Sequence, residues 1–340
     1  MNVQTEDKLS DIRTSLTKVS AHANIALIKY WGKRSIDLNL PATGSISLTL
    51  DSLKTETVLR FDQSLQTDQF TLDEKPASKE QIKKVSHLVD IMYGSTVRPK
   101  FDIKSSNNFP TGAGLASSAS GFAALTLAVS HALELDLSAE DLSRFARQGS
   151  GSAARSLFGG FVEMKCGSDL QGDQDFAVQL FDKDYWDIRM AVAITSVREK
   201  KVGSTEGMIR TAQTSPFYNS WIDSSKDDLN QMKQALAEKD FEKMGELAEH
   251  NSFKMHGLAI SANPPLLYWN ASTVELIHKI RDIRRSGVQA YITMDAGPQV
   301  KVLCLPGDLN EVCDTLKTTS GVQRIITARP GPGATVEVIE

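Results

Sequence analysis

Apolar and polar positions follow two periods along this chain, and the changes of period divide it into elements. Residues 17–30 (TKVSAHANIALIKY) pass from alternation to a nearly continuous apolar run, the pattern of a buried strand. Residues 45–61 alternate and predict one or two strands, onto which 69–72 is expected to pair back. Ile82, Val85, Leu88, Val89 and Met92 fall at helical spacing, so 78–93 reads as an amphipathic helix with His87 a partly buried structural histidine. A short strand over 98–105 leads into a glycine-rich turn. After it, 114–133 reads as a helix apolar almost all round, hence one buried inside a domain.

The second part of the chain changes rhythm. Ser138-Ala139-Glu140-Asp141 is a capping pattern that opens a helix over 138–147. A strand over 159–165 and a polar, exposed loop over 169–175 are expected next. A buried strand over 187–197 should open a second domain, and a charged run over 198–205 precedes a helix around 206–212. Helices are expected over 221–238, 240–258 and 273–286, with Asn263-Pro264-Pro265 breaking the chain between the last two. Strands over 288–294, 300–305, 323–327 and 335–339, with a helix over 309–318, suggest a small sheet with helices on one face. The class is therefore α+β, with domains 1–185 and 186–340. Residues 1 to about 14 form a loose polar tail, and no internal repeat or low-complexity segment interrupts the pattern.

Composition narrows the partners. With 340 residues, 41% hydrophobic and 24% charged, the chain can bury the cores of two medium domains. A net charge of −4 and the lack of a long basic run give no reason to expect nucleic acid. No apolar run approaches a membrane span and no apolar signal core opens the chain. Three scattered cysteines, Cys166, Cys304 and Cys313, have no metal-ligand spacing and fit buried, reduced thiols in the cytoplasm.

Four clusters carry candidate chemistry. Gly112 and Gly114 lead through Leu115 and Ala116 to Ser117, Ser118 and Ser120 at a helix start. Glycines turn backbone amides toward a ligand, and a helix N-terminus attracts anions, phosphates above all; the same pattern also serves as a plain turn. Lys29, Tyr30 and Lys33 end the first strand, either as an anion pocket or as snorkelling side chains on a solvated face. Ser150 and Ser152 flank Gly151 ahead of Arg155, whose fork of donors matches carboxylate or phosphate; a capped loop is the alternative. Asp295 stands before Ala296-Gly297-Pro298, either as turn chemistry or as a general base held at a strand end.

Taken together, NIALIKYWGKR (24–34), FPTGAGLASSASGFAA (109–124), RQGSGSAARSLFGG (147–160), STEGM (204–208), PPLLYWN (264–270) and MDAGP (294–298) resemble the GHMP kinase superfamily and, within it, the diphosphomevalonate decarboxylases. The resemblance implies two α/β layers with the active site in the cleft between them. It implies ATP and Mg2+ as cofactors, a homodimer, and phosphorylation of the tertiary 3-hydroxyl of mevalonate 5-diphosphate followed by loss of phosphate and CO2. Residue by residue, it implies that Asp295 accepts or orients the hydroxyl proton, with Lys29 or Lys33 assisting. Arg155, held near Ser150 and Ser152, would align the substrate carboxylate, and Tyr30 and Lys33 would grip the 5-diphosphate. ATP phosphates would lie over 112–120, approached by Lys200 and Ser204; no residue is assigned as a metal ligand.

Two positions depart from the family pattern. Gly203 stands where many members have serine, and Thr205 where several bacterial members have arginine. The helix over 78–93 has no arginine, and Lys83 is its expected substitute. Sister activities on the monophosphate, a kinase that stops at the 3-phosphate, and a non-catalytic binding protein are the rival readings.

Overall fold

The structure, a computed structural model, describes residues 16–198 and 200–338. The expected polar tail, Glu199 and the end of the last predicted strand lie outside those residues. The chain opens with β1 (Thr17–Ile28), a small hairpin of β2 (Lys33–Ser35) and β3 (Leu40–Pro41), and β4 (Ser45–Asp62). A ribbon of β5 (Gln69–Leu72) and β6 (Lys75–Pro76) precedes α1 (Lys79–Tyr93), β7 (Lys100–Asn107) and α2 (Ser117–Ala132). Next come α3 (Ala139–Gly149), the single turn α4 (Ala153–Ser156), β8 (Phe161–Met164) and β9 (Ala177–Phe181). The second half runs β10 (Arg189–Ile194), α5 (Ser204–Thr214), α6 (Tyr218–Glu238), α7 (Phe241–Ile260) and α8 (Ala271–Arg285). It ends with β11 (Ala290–Thr293), β12 (Val300–Cys304), α9 (Leu309–Lys317), β13 (Arg324–Ala328) and β14 (Thr335–Val338).

Two sheets result. The larger runs β14-β1-β4-β7-β5-β6, with β8 on the other end of β4 and β9 beside β8; the smaller runs β11-β12-β10-β13. β4 shows why one strand can serve two surroundings. Residues 45–50 are buried on both faces and pair with β1 and β8, whereas 53–61 alternate buried and half-exposed along β7. α1 and α2 pack on the larger sheet through Val85, Leu88, Ala124 and Ala128. α8 and α9 cover one face of the smaller sheet through Leu276, Ile280, Val312 and Leu316. A third core joins the two layers, with Ile25 and Leu27 of β1 and Leu48 of β4 meeting Met190 and Val192 of β10 and Met244 of α7.

Several expectations are corrected here. β5 pairs in parallel with β7, not back on β4, because β6 and α1 carry the chain across before β7 returns. β14 leaves the small sheet and pairs with β1. α2 begins at Ser117 rather than 114, since Gly112, Gly114 and Ala116 all adopt positive φ. The 169–175 loop is not simply exposed: Asp175 is fully buried and receives both ends of the Arg34 guanidinium. His87 is exposed rather than partly buried, and Cys166 is exposed whereas Cys304 is buried. Among the described residues no helix is long and apolar enough to cross a membrane.

Candidate active site

The glycine turn ahead of α2 and the loop after β11 meet back to back. A Cβ on Gly114 would stand 3.0 Å from the Cα of Gly297, and Gly114 itself sits at φ +83°. Only glycine allows both the left-handed backbone and that approach. The contact sets Asp295, two residues before Gly297, beside the start of α2. α2 has no side-chain N-cap, since Ala116 occupies that position in the left-handed region. The Ser117 hydroxyl instead accepts the Gly112 amide at 3.2 Å. Ser118 and Ser150 hydroxyls lie 3.3 Å apart, as do those of Ser150 and Ser152, so three serines form one row along the cleft.

Asp295 is gripped from both sides. Lys29, at the end of β1, donates to Oδ1 at 2.9 Å, and Lys301 of β12 donates to Oδ2 at 3.0 Å. Lys29 also donates to the Ala26 carbonyl and to Thr293 Oγ1, which fixes its ammonium within the buried end of the strand. Its own backbone amide is held by Asn251 of α7 at 2.8 Å. Burial alone would raise the Asp295 carboxyl, but Lys29 and then Lys301 overturn that and hold it ionised far below the usual carboxylate range. Burial also pushes Lys29 down to about 8, against the opposing pull of Asp295. His256 of α7, fully buried behind them, is pushed down to about 3 by burial and by Lys29.

Arg155 sits on the short turn α4, 2% exposed. Its Nε donates to Ser47 Oγ at 2.9 Å and to Asn24 Oδ1 at 3.2 Å, and Nη1 donates to Ser45 Oγ. Strands β1 and β4 therefore hold it; Ser150 and Ser152, expected to do so, do not. Asn24 links the two parts by donating to the Ser152 carbonyl and the Ser156 hydroxyl. Among the described residues Arg155 makes no ion pair, and burial pushes it down to about 10. A buried guanidinium with only neutral oxygens around it is an unbalanced charge, suited to an anion that arrives from outside. The Tyr30 hydroxyl is buried nearby without a hydrogen-bond partner among the described residues, and burial raises its pKa.

These groups line one cleft of about 670 Å3. Asp295, Lys29, Lys33, Arg155, Tyr30, Ser150, Ser152, Gly112, Gly114, Ala116, Ser117, Ser118, Lys200 and Ser204 all reach it. Two predicted residues do not. Leu115 packs into the shared core, and the Ser120 hydroxyl turns inward to Thr55 Oγ1 at 2.6 Å, because the helix rotates it onto the sheet face. Lys33 makes no ion pair with Asp295 among the described residues and reaches Thr205 Oγ1 at 3.3 Å; burial, and then Lys84, push it down to about 8. Lys200 donates to Ser204 Oγ at 2.8 Å and to the Ala296 carbonyl.

Three residues at the site, two lining the cleft and one buried behind Asp295, escape a reading of the sequence. Lys84 and His87, one turn apart on α1, face the cleft, whereas the expected substitute Lys83 is exposed elsewhere. Lys301 is the third; a lone lysine in an otherwise apolar strand was its only signal. The cleft thus gathers five fixed cations (Lys29, Lys33, Lys84, Lys200 and Arg155) against the carboxylates of Asp37 and Asp295. Such a balance attracts polyanions. A second cavity of about 270 Å3 shares Gly112, Ser117, Ser118, Phe122 and Lys84 with the cleft and is lined beyond them by Phe70, Ile103 and Leu125. No cluster of three His, Cys, Asp or Glu side chains suits a metal among the described residues. The serine hydroxyls at the α2 start are hard oxygen donors that fit magnesium arriving with phosphates, which does not need an all-protein cage.

Comparison with known proteins identifies the family. Residues 21–177 match the model of a diphosphomevalonate decarboxylase-like N-terminal domain, and 190–332 that of a mevalonate 5-diphosphate decarboxylase C-terminal domain. The diphosphomevalonate decarboxylase of Candida albicans is 36% identical, covering 93% of this chain and 96% of its own. A solved structure of MDDEF in complex with MVAPP, AMPPCP and magnesium is 40% identical with a TM-score of 0.89, over 96% of this chain and 99% of that one. The mevalonate diphosphate decarboxylase of Staphylococcus aureus is 38% identical at a TM-score of 0.89, over 96% and 98%. These neighbours share the GHMP kinase fold.

Proposed function

The chain belongs to the diphosphomevalonate decarboxylase family, and we propose on that basis that its cleft converts mevalonate 5-diphosphate and ATP to isopentenyl diphosphate, ADP, phosphate and CO2. The observation that carries this reading is the meeting of Asp295, clasped by two lysines, with the phosphate-binding turn at Gly114, in one cleft with an ion-pair-free Arg155.

ATP phosphates lie along the uncapped start of α2, where backbone amides and the hydroxyls of Ser117 and Ser118 face them. The largely apolar second cavity takes the nucleoside end. The hydroxyls of Ser117 and Ser118 would help to hold magnesium that arrives with the phosphates, and the ion would supply charge compensation there. Lys200, in the loop ahead of α5, and Ser204, at its start, approach the same phosphates. Asp295 orients the 3-hydroxyl toward the γ-phosphorus. Because its carboxyl is held so acidic, it takes the proton late, and a loose phosphoryl-transfer transition state needs little base. The O–H bond breaks, a P–O bond forms and ADP leaves. The 3-phosphate then departs with its C–O electrons, carbon 3 gains positive character, and the C–C bond to the carboxylate supplies the electrons of the new double bond as CO2 leaves. Arg155 aligns that carboxylate by its fork, while Tyr30, Lys33 and the serine row of Ser150 and Ser152 hold the 5-diphosphate.

We read residues 1–185 and 186–340 as the two working layers, assembled as a cytoplasmic homodimer; light scattering on the purified chain tests the assembly. For the reaction, purified protein is incubated with ATP, magnesium and either mevalonate 5-diphosphate or the 5-monophosphate. Mass spectrometry should find isopentenyl diphosphate from the diphosphate alone. A stable 3-phosphorylated product, or turnover of the monophosphate only, would replace this reading with a sister activity. Asp295→Asn should lower kcat on the order of a thousandfold.

A further inference from the structure

Lys301 breaks the apolar register of β12, where Val300, Val302, Leu303 and Cys304 are all fully buried. Val300, Val302 and Cys304 pack beneath α8 and α9. Residues 301 and 303 face the other way, and Leu303 packs into the core shared with the first sheet. Packing alone would favour an apolar side chain at 301, since a buried ammonium gives up its hydration and recovers it only through well-made partners. Lys301 Nζ has two such partners from different halves of the chain, Asp295 Oδ2 at 3.0 Å and the Gly114 carbonyl at 2.9 Å. Neutralising one carboxylate does not require it, because Lys29 already stands on Oδ1 at 2.9 Å.

What the second cation adds is geometry. A carboxylate held at one oxygen can swing about that contact; held at both, it is fixed in its plane. The same ammonium anchors Gly114, the turn of the loop on which phosphates are bound. We propose that Lys301 is a positioning residue for phosphoryl transfer: it sets the spacing between the carboxylate that orients the substrate hydroxyl and the loop that presents the γ-phosphate. This inference rests on the function proposed above.

Lys301→Met keeps chain length and apolar fit and removes both contacts. In the folded variant kcat should fall about 100-fold, as expected for a reacting group displaced by an ångström. Equilibrium affinity for an ATP analogue should weaken several-fold, while affinity for mevalonate 5-diphosphate, gripped by Tyr30 and Lys33, stays within about twofold. A kcat within about threefold of wild type, or an equal loss of affinity for both ligands, overturns the proposal. Circular dichroism establishes that the variant is folded. If it is not, Lys301→Gln keeps a donor for Gly114 without the charge: it should bind the ATP analogue nearly as wild type does yet remain slow, and parallel losses overturn the idea. Wild type is assayed beside both variants. No phosphate release from wild type would overturn the functional reading and this one with it, whereas active wild type with an equally active Lys301→Met overturns this inference alone.

Discussion

Lys29 shows how one residue's surroundings define its working range. The residue is 1% exposed, and burial outweighs the attraction of Asp295, so its pKa is pushed down from 10.5 to about 8. A cation with a lowered pKa is charged below that value and neutral above it. kcat/KM, which reports on the free enzyme, should therefore fall as pH rises through about 8. Lys33 titrates in the same window for the same main reason, burial, with Lys84 adding to it, and belongs to the proposed diphosphate grip. Measured profiles should accordingly be steeper for kcat/KM of the diphosphate substrate than for kcat at saturation. Arg155 makes the complementary case, in which shape matters more than charge. Asn24 and Ser47 take Nε and Ser45 takes one Nη1 donor, while Nη2 has no protein partner among the described residues. Arg155→Lys keeps the charge but not the fork, and should lower kcat by about 100- to 1,000-fold with KM for ATP little changed.

At the scale of elements, the small hairpin of β2 and β3 carries Lys33 over the cleft and owes its position to a distant loop. Arg34 donates to both oxygens of Asp175, to the Pro41 carbonyl and to the Asp169 carbonyl. Asp175 also accepts the Gly167 amide at 3.1 Å and is 0% exposed. Asp175→Asn leaves Arg34 without its counter-charge. It should cost about 2 kcal/mol of stability in chemical denaturation, since the half-buried guanidinium loses its charged hydrogen-bond partner. It should also raise KM for mevalonate 5-diphosphate, with kcat less affected, because the strand holding Lys33 is loosened while Asp295 is not. A variant as stable as wild type would mean that the hairpin is held by other contacts.

Across the whole molecule, burial makes acid stability depend in part on the imidazole of His256. His256 is neutral when folded, pushed down to about 3, and has an ordinary value of 6.5 when exposed. Between those values the unfolded chain binds a proton that the folded chain refuses, so stability falls as pH drops below 6.5. One such group accounts for about 1.4 kcal/mol per pH unit. Denaturation at pH 7.5, 6.5 and 5.5 should show a shallower loss in His256→Gln than in wild type; equal slopes would exclude His256 as the cause. The joining of the layers also involves β14, which returns from the second half to pair with β1 along residues 17–20.

Much of this protein was legible locally. The strand over 17–28, the capped helices starting after Ser78 and Ser138, the glycine turn and the ordered motifs from 24 to 298 are written in short-range periodicity and turn chemistry, which neighbouring residues suffice to specify. Partnership across the fold was not. Lys29 meets Asp295 266 positions away, and Lys301 meets Gly114 across 187. Asn24, Ser45 and Ser47, which look like ordinary strand polar residues, become the mount of Arg155. Ser120, in the same serine run as Ser117, points into the sheet because a helix turns each successive side chain by about 100°. Periodicity tells which face of a strand or helix is buried, not what covers it; packing between layers chooses the partner, and here that choice made the cleft.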